Sequence, residues 1–108
     1  MRKTQITIEV ELDENHVPET MTWNAQDGGV DKQETKATMI SVWDDKAMEA
    51  LRIDLWTKDM PVDHMKRFFH QIMVSFGDTY QRATGEDDVA EWMREMAEEF
   101  AVKSAIKM

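Results

Sequence analysis

The block Leu51–Phe69, LRIDLWTKDMPVDHMKRFF, constrains the fold of this 108-residue chain more than any other part of it. Leu51, Ile53 and Leu55 alternate with Arg52 and Asp54, which sets the apolar side chains on one face of a strand. Trp56 closes that strand. Pro61 carries a pre-set φ suited to a first helical turn, and Asp63 beside it complements the positive end of the helix dipole. From Val62 onward the apolar period changes from two residues to about 3.6. One short block therefore demands both a sheet and a helix.

The alternation extends upstream. In Gln5–Leu12, Ile6, Ile8, Val10 and Leu12 fall on one face and Thr7, Glu9 and Glu11 on the other, the pattern of a half-buried strand. Asp13–Glu19, DENHVPE, has turn chemistry. Thr20–Ala25 follows as a second strand with Met21, Trp23 and Ala25 in register. Gln26–Glu34, QDGGVDKQE, is polar and glycine-bearing and is expected as a flexible surface loop. Thr35–Trp43 is a third strand, with Thr38, Ile40 and Val42 on one face and Met39, Ser41 and Trp43 on the other. Asp44–Glu49 turns the chain into a fourth strand, Ala50–Trp56.

The first helix is predicted from about Pro61 to Ala83. Val62, Met65, Phe68, Phe69, Ile72, Met73, Phe76 and Tyr80 fall within an arc of roughly 140° on it, and Gly85 follows as its left-handed stop. A second helix starts near Glu86, where Glu86, Asp87 and Asp88 oppose the dipole. Lys103 and Lys107 suit its other end. Its stripe is Val89, Trp92, Met93, Met96, Ala97 and Phe100. A connection this short forces neighbouring, antiparallel packing. The expectation is one α+β domain over residues 1–108: a four-stranded antiparallel sheet from two β-hairpins, followed by two antiparallel C-terminal helices packed on one face. Its core would be Ile6, Ile8, Val10, Ile40, Val42, Leu51, Ile53 and Leu55 against the helix stripes.

Charge narrows the partners. With 22 acidic and 13 basic residues the formal net charge is −9, which opposes phosphate neutralisation and so nucleic-acid binding. It disfavours an anionic membrane surface as well. The absence of cysteine excludes disulfides, thiol chemistry and Cys-type zinc sites. MRKTQITIEVELD alternates and has no continuous apolar h-region, and no stretch approaches the roughly 20 apolar residues of a membrane span. A soluble, cytoplasmic protein without membrane insertion is expected.

No constellation points to catalysis or a cofactor. His16 sits in a turn, and His64 and His70 are separated by about 240° of helix turn, so they share no ligand face. No metal site is expected, and all three are assigned to the surface. Glu9 and Glu11 project from the outer face of the first strand, and Glu91, Glu95 and Glu98 line a solvated helix face. General acid–base work needs a desolvated carboxyl beside a defined partner. Ser41, Ser75 and Ser104 lie within regular elements without a nucleophile elbow, and Gly28-Gly29 lacks phosphate-loop context. Asp78 and Arg82, four apart, suit a helix-face ion pair.

Of the ten methionines, Met65, Met73, Met93 and Met96 lie on helix stripes and serve as core filler. Met39 is different. It shares a strand face with Trp43, opposite Ile40 and Val42, and Trp56 has the same parity as Arg52 and Asp54. If helices cover the Ile40/Val42 face, then Met39, Trp43 and Trp56 lie on an open sheet face as a candidate protein interface. The alternative is that the long loop or the second hairpin covers them.

Four segments also resemble one known family: RIDLWTKDMPVDHMKRF (Arg52–Phe68), VELDENHVPE (Val10–Glu19), ETKATMISVWD (Glu34–Asp44) and ATG (Ala83–Gly85). They are similar to the gliding motility-associated protein GldC family of the Bacteroidetes, with similar spacing over most of the chain. Val89–Met108 matches in general character alone. The resemblance implies a small, soluble, cytoplasmic protein associated with surface gliding. That family has no assigned catalytic residues, so none is carried over. The leading expectation is a non-enzymatic protein-binding adaptor or accessory factor, with an unidentified protein partner. Two others stand beside it. One is a homodimer formed through the open sheet face or an edge strand, similar in fold order alone to whirly or PUR-type proteins. The other is an enzyme with a pocket around Asp54, Arg67 and His70.

Overall fold

The computed structural model describes residues 1–106 and contains five strands followed by two helices: β1 (Ile6–Leu12), β2 (Pro18–Ala25), β3 (Val30–Glu34), β4 (Ala37–Asp44), β5 (Glu49–Trp56), α1 (Val62–Thr84) and α2 (Asp87–Lys103). Lys107, expected to suit the end of the second helix, lies outside the described residues. The fold is α+β, but it has no four-stranded sheet. The strands form two antiparallel sheets, β1-β2-β3 and β4-β5. They belong to one compact unit, Met1–Met60, and the helices to another that starts at Pro61.

The fifth strand comes from the segment expected as a loop. Only Gln26–Gly29 turn; Val30–Glu34 pairs with β2, with Thr22 opposite Glu34 and Trp23 opposite Gln33. An edge strand whose side chains face water needs no apolar alternation, which is why DKQE carried no strand signal. Two polar devices hold it. Gly29 takes the left-handed conformation, φ 69°, that closes the turn. The backbone N–H of Lys32, itself at φ 47°, donates to Asn24 Oδ1 at 2.8 Å where the ladder shifts register.

In β1 and β2 the predicted alternation survives as pairing: Ile8 opposes Trp23, and Val10 opposes Met21. Met21, 2 % exposed, is the main buried side chain of this unit, and its Sδ accepts a hydrogen bond from Thr38 Oγ1 of β4 at 3.2 Å. The expected core needs correction. Ile8, Val10 and Leu55 are half-buried, whereas Ile6, Ile40, Val42, Leu51 and Ile53 are exposed. Burial concentrates where the two sheets meet, not along the β4-β5 face.

The helices start and stop where the sequence places them. Pro61, φ −68° and ψ 144°, precedes the first turn of α1, and Gly85 at φ 74° ends it with its N–H on Gln81 O at 2.9 Å. The helices are neighbours and antiparallel: Lys66 Nζ donates to Ser104 O at 2.7 Å near one end, and Gln81 Nε2 to Asp87 Oδ1 at 2.8 Å near the other. Their seam shares Ala97 with the predicted α2 stripe but is otherwise centred on residues the stripes omitted. It runs through buried Gly77, Ala90 and Ala97, residues small enough for close backbone approach. Phe76 and Trp92, expected to be buried, are 56 and 57 % exposed.

Candidate protein-binding face

The β4-β5 ribbon is regular throughout, which decides what each face displays. Ala37 pairs with Trp56, Met39 with Asp54, Ser41 with Arg52 and Trp43 with Ala50. Opposed residues in an antiparallel pair point to the same side, so these eight side chains form one face. Trp43 and Trp56 stand near opposite ends, separated by six residues of β4 register, or about 20 Å at the usual strand rise. Between them Arg52 Nε lies 3.3 Å from Asp54 Oδ2. The face is thus two indoles bracketing an ion pair, with Met39 half-buried beside Asp54.

Met39, Trp43 and Trp56 therefore share the side that their parity indicates. Trp43 is 59 % and Trp56 54 % exposed. Neither the β2-β3 turn nor the turn of the ribbon buries them. The Ala37/Trp56 end of the ribbon is clamped. Thr57 N–H donates to Lys36 O at 2.9 Å and Lys58 N–H to Pro18 O at 3.1 Å. Thr57 is buried, with its hydroxyl on Asp59 Oδ1 at 2.7 Å, while Lys36 Nζ holds Asp59 Oδ2 at 3.0 Å. The Thr57 hydroxyl, then Lys36, hold the Asp59 carboxyl below its ordinary range. These bonds sit directly after Trp56 and give the ribbon a fixed base.

A second feature of the ribbon escaped sequence reasoning. Its opposite face, with Ile40 paired to Ile53 and Val42 to Leu51, is also exposed. Alternation identifies such a face as apolar but cannot say whether anything covers it.

The polar candidates separate into local roles. Among the described residues no group of three or more His, Asp or Glu side chains is arranged to hold a metal ion. Asp54 pairs with Arg52. His16 adopts φ 62° in the β1-β2 turn. His64 is exposed. His70 is not a surface residue: its side chain is 11 % exposed on the α2-facing side of α1. Its Nε2 is buried without a hydrogen-bond partner, the Glu98 carboxylate being 3.8 Å away. Sequence alone assigned it to the surface; the four-three-four spacing of Lys66, His70, Met73 and Gly77 is the pattern that puts it on the side of α1 carrying Gly77.

Among the described residues no helix is long and apolar enough to cross a membrane. The family model for the gliding motility-associated protein GldC-like family matches residues 18–106, a span that includes β2 to β5 and both helices. No curated protein and no solved structure matches the chain.

Proposed function

The chain belongs to the gliding motility-associated protein GldC-like family, and on that premise we propose that it is a non-enzymatic, cytoplasmic accessory factor that binds another protein through the Met39/Trp43/Trp56 face of β4-β5. The observation that carries this reading is the pair of exposed tryptophans on one rigidly based ribbon face. Large aromatic side chains supply most of the energy of small interfaces, because each removes a large apolar area from water with little rotamer entropy to lose. The Arg52–Asp54 pair between them sets orientation, since a partner must present polar groups there or leave both charges desolvated.

The test is affinity capture of the tagged protein from lysate of its own source organism, with Trp43→Glu/Trp56→Glu and Met39→Glu/Trp43→Glu variants run in parallel. Circular dichroism checks that the variants keep the native spectrum. A specific partner lost in both variants supports the reading, as does loss of surface spreading when either variant replaces the wild-type copy in cells. Undiminished capture of the same partner by folded variants removes this face from the mechanism.

A further inference from the structure

The seam between α1 and α2 encloses a polar atom that the hairpin leaves unsatisfied. Gly77 lies against Ala90 and Arg94, and Lys66 reaches Ser104 O near the other end. His70 stands between them on the same side of α1, and its Nε2 is buried without a hydrogen-bond partner. A buried ring nitrogen in that state carries the desolvation cost of a polar group with nothing to offset it.

The charged groups around the ring leave one candidate partner. From α2, Glu98 places Oε1 3.8 Å from Nε2, and its side chain is 77 % exposed. That separation exceeds a hydrogen bond, but a carboxylate at the end of an exposed, flexible side chain closes it by adjusting its torsions. Arg94, one turn earlier on α2, is occupied by Asp78, Gln81 and Glu91, and Lys103 by Glu99. Glu95 is exposed. On α1, Lys66 and Arg67 precede His70 by one turn; Lys66 is held by Ser104 O, and Arg67 is also engaged.

We propose that His70 and Glu98 form a proton-controlled clasp across the helix seam. Protonation of the imidazole makes Nε2 a charged donor, draws the Glu98 carboxylate onto it and fastens α2 to α1. Loss of that proton removes the attraction and restores the unsatisfied nitrogen. Imidazole changes charge between about pH 5 and 8, so the fastening is present on the acid side and is lost as pH rises. Every group in the clasp belongs to the helical unit that starts at Pro61, so it stands apart from the tryptophan face of the ribbon.

Urea titrations of the full chain at about pH 5.5 and about pH 8, followed by far-ultraviolet circular dichroism, test the clasp as a double-mutant cycle. Glu98→Gln should raise the unfolding equilibrium constant about two- to fivefold at the lower pH and leave it nearly unchanged at the higher. In a His70→Gln background the same substitution should have almost no effect at either pH. Should His70→Gln fail to fold, the wild-type background decides alone, because Glu98 is exposed and His16 and His64 are common to both proteins. Equal effects of Glu98→Gln at the two pH values overturn the proposal. So does a pH-dependent effect that persists in folded His70→Gln.

Discussion

Arg94 of α2 reaches across to Asp78 of α1, its Nε and Nη2 donating to the same carboxylate oxygen at 3.1 and 2.9 Å. The partner that spacing suggested for Asp78 was Arg82, one turn away on the same helix, but Arg82 Nη2 instead donates to Thr79 Oγ1 at 3.4 Å. Nη2 of Arg94 also donates to Gln81 Oε1, and Nη1 lies 3.4 Å from Glu91 Oε2. The hydrogen bond to Asp78 raises the guanidinium above its ordinary pKa, with Glu91 adding to the effect. One arginine thus fastens two helices, whereas an Asp78–Arg82 pair would have stayed within one.

Arg94→Met should therefore lower the urea midpoint, and Arg82→Met should leave it nearly unchanged. Part of the Arg94 effect should fade in concentrated salt, since the carboxylates of Asp78 and Glu91 are mostly exposed and are screened. Equal effects from the two substitutions would show that the cross-helix bonds contribute nothing.

Gly77 is a tight point of the helix seam. A Cβ there would stand 3.0 Å from Arg94 Cγ and 3.2 Å from the Ala90 carbonyl oxygen. The arginine can swing aside, but the backbone carbonyl moves only if the helices separate. Gly77→Leu should destabilise the protein by about 1–3 kcal/mol in a denaturant titration, the usual range for overpacking. A variant at least as stable as the wild type would mean that the helices are free to part.

Met21 and Leu55 separate the actual core from the expected one. Met21, 2 % exposed and contacting Thr38, should lose about 2–5 kcal/mol as Met21→Ala. Leu55→Ala should lose about 1 kcal/mol, because Leu55 is only half-buried. A larger loss at Leu55 than at Met21 would falsify the burial assignment.

Acid stability should depend on Asp13. Its Oδ1 accepts from the backbone N–H groups of Val17 at 3.0 Å and Asn15 at 2.8 Å, and its Oδ2 from Lys58 Nζ at 3.2 Å. The Val17 bond, then the Asn15 bond, hold the carboxyl below its ordinary value of 3.8. A carboxyl lowered on folding contributes stability that is fully present above the unfolded value and is lost as pH falls through the folded one. Stability should decline below about pH 4, and Asp13→Asn should show a smaller decline over that window. An identical acid profile in the variant would exclude Asp13 from the transition.

Much of the architecture was legible because it rests on local chemistry. Pro61 and Gly85 bound α1 through φ preferences that belong to single residues, and the alternation of Ile8 and Val10 places them on the face of β1 that also carries Met21 across the ladder. β3 was invisible for the opposite reason. Its pairing depends on Asn24 and on a glycine turn rather than on apolar side chains. The same holds for the candidate face. Parity places Met39 and Trp43 on one side of β4, but it takes the β4-β5 register to add Trp56, and their exposure depends on what lies over them.

The sequence by itself determined the α+β class, the order and approximate bounds of most elements, the strand parity that groups Met39 with Trp43, and the family. Periodicity, turn chemistry and backbone preference act over a few residues and can be recognised within a few residues. Only the tertiary structure decided that five strands divide into a three-stranded sheet and a ribbon, that Met21 rather than Ile53 is buried, and that Gly77, Ala90 and Ala97 rather than Phe76 and Trp92 form the helix seam. Those outcomes depend on which surfaces meet. Close approach between backbones is set by the smallest residues on each helix, and an apolar pattern marks the largest ones.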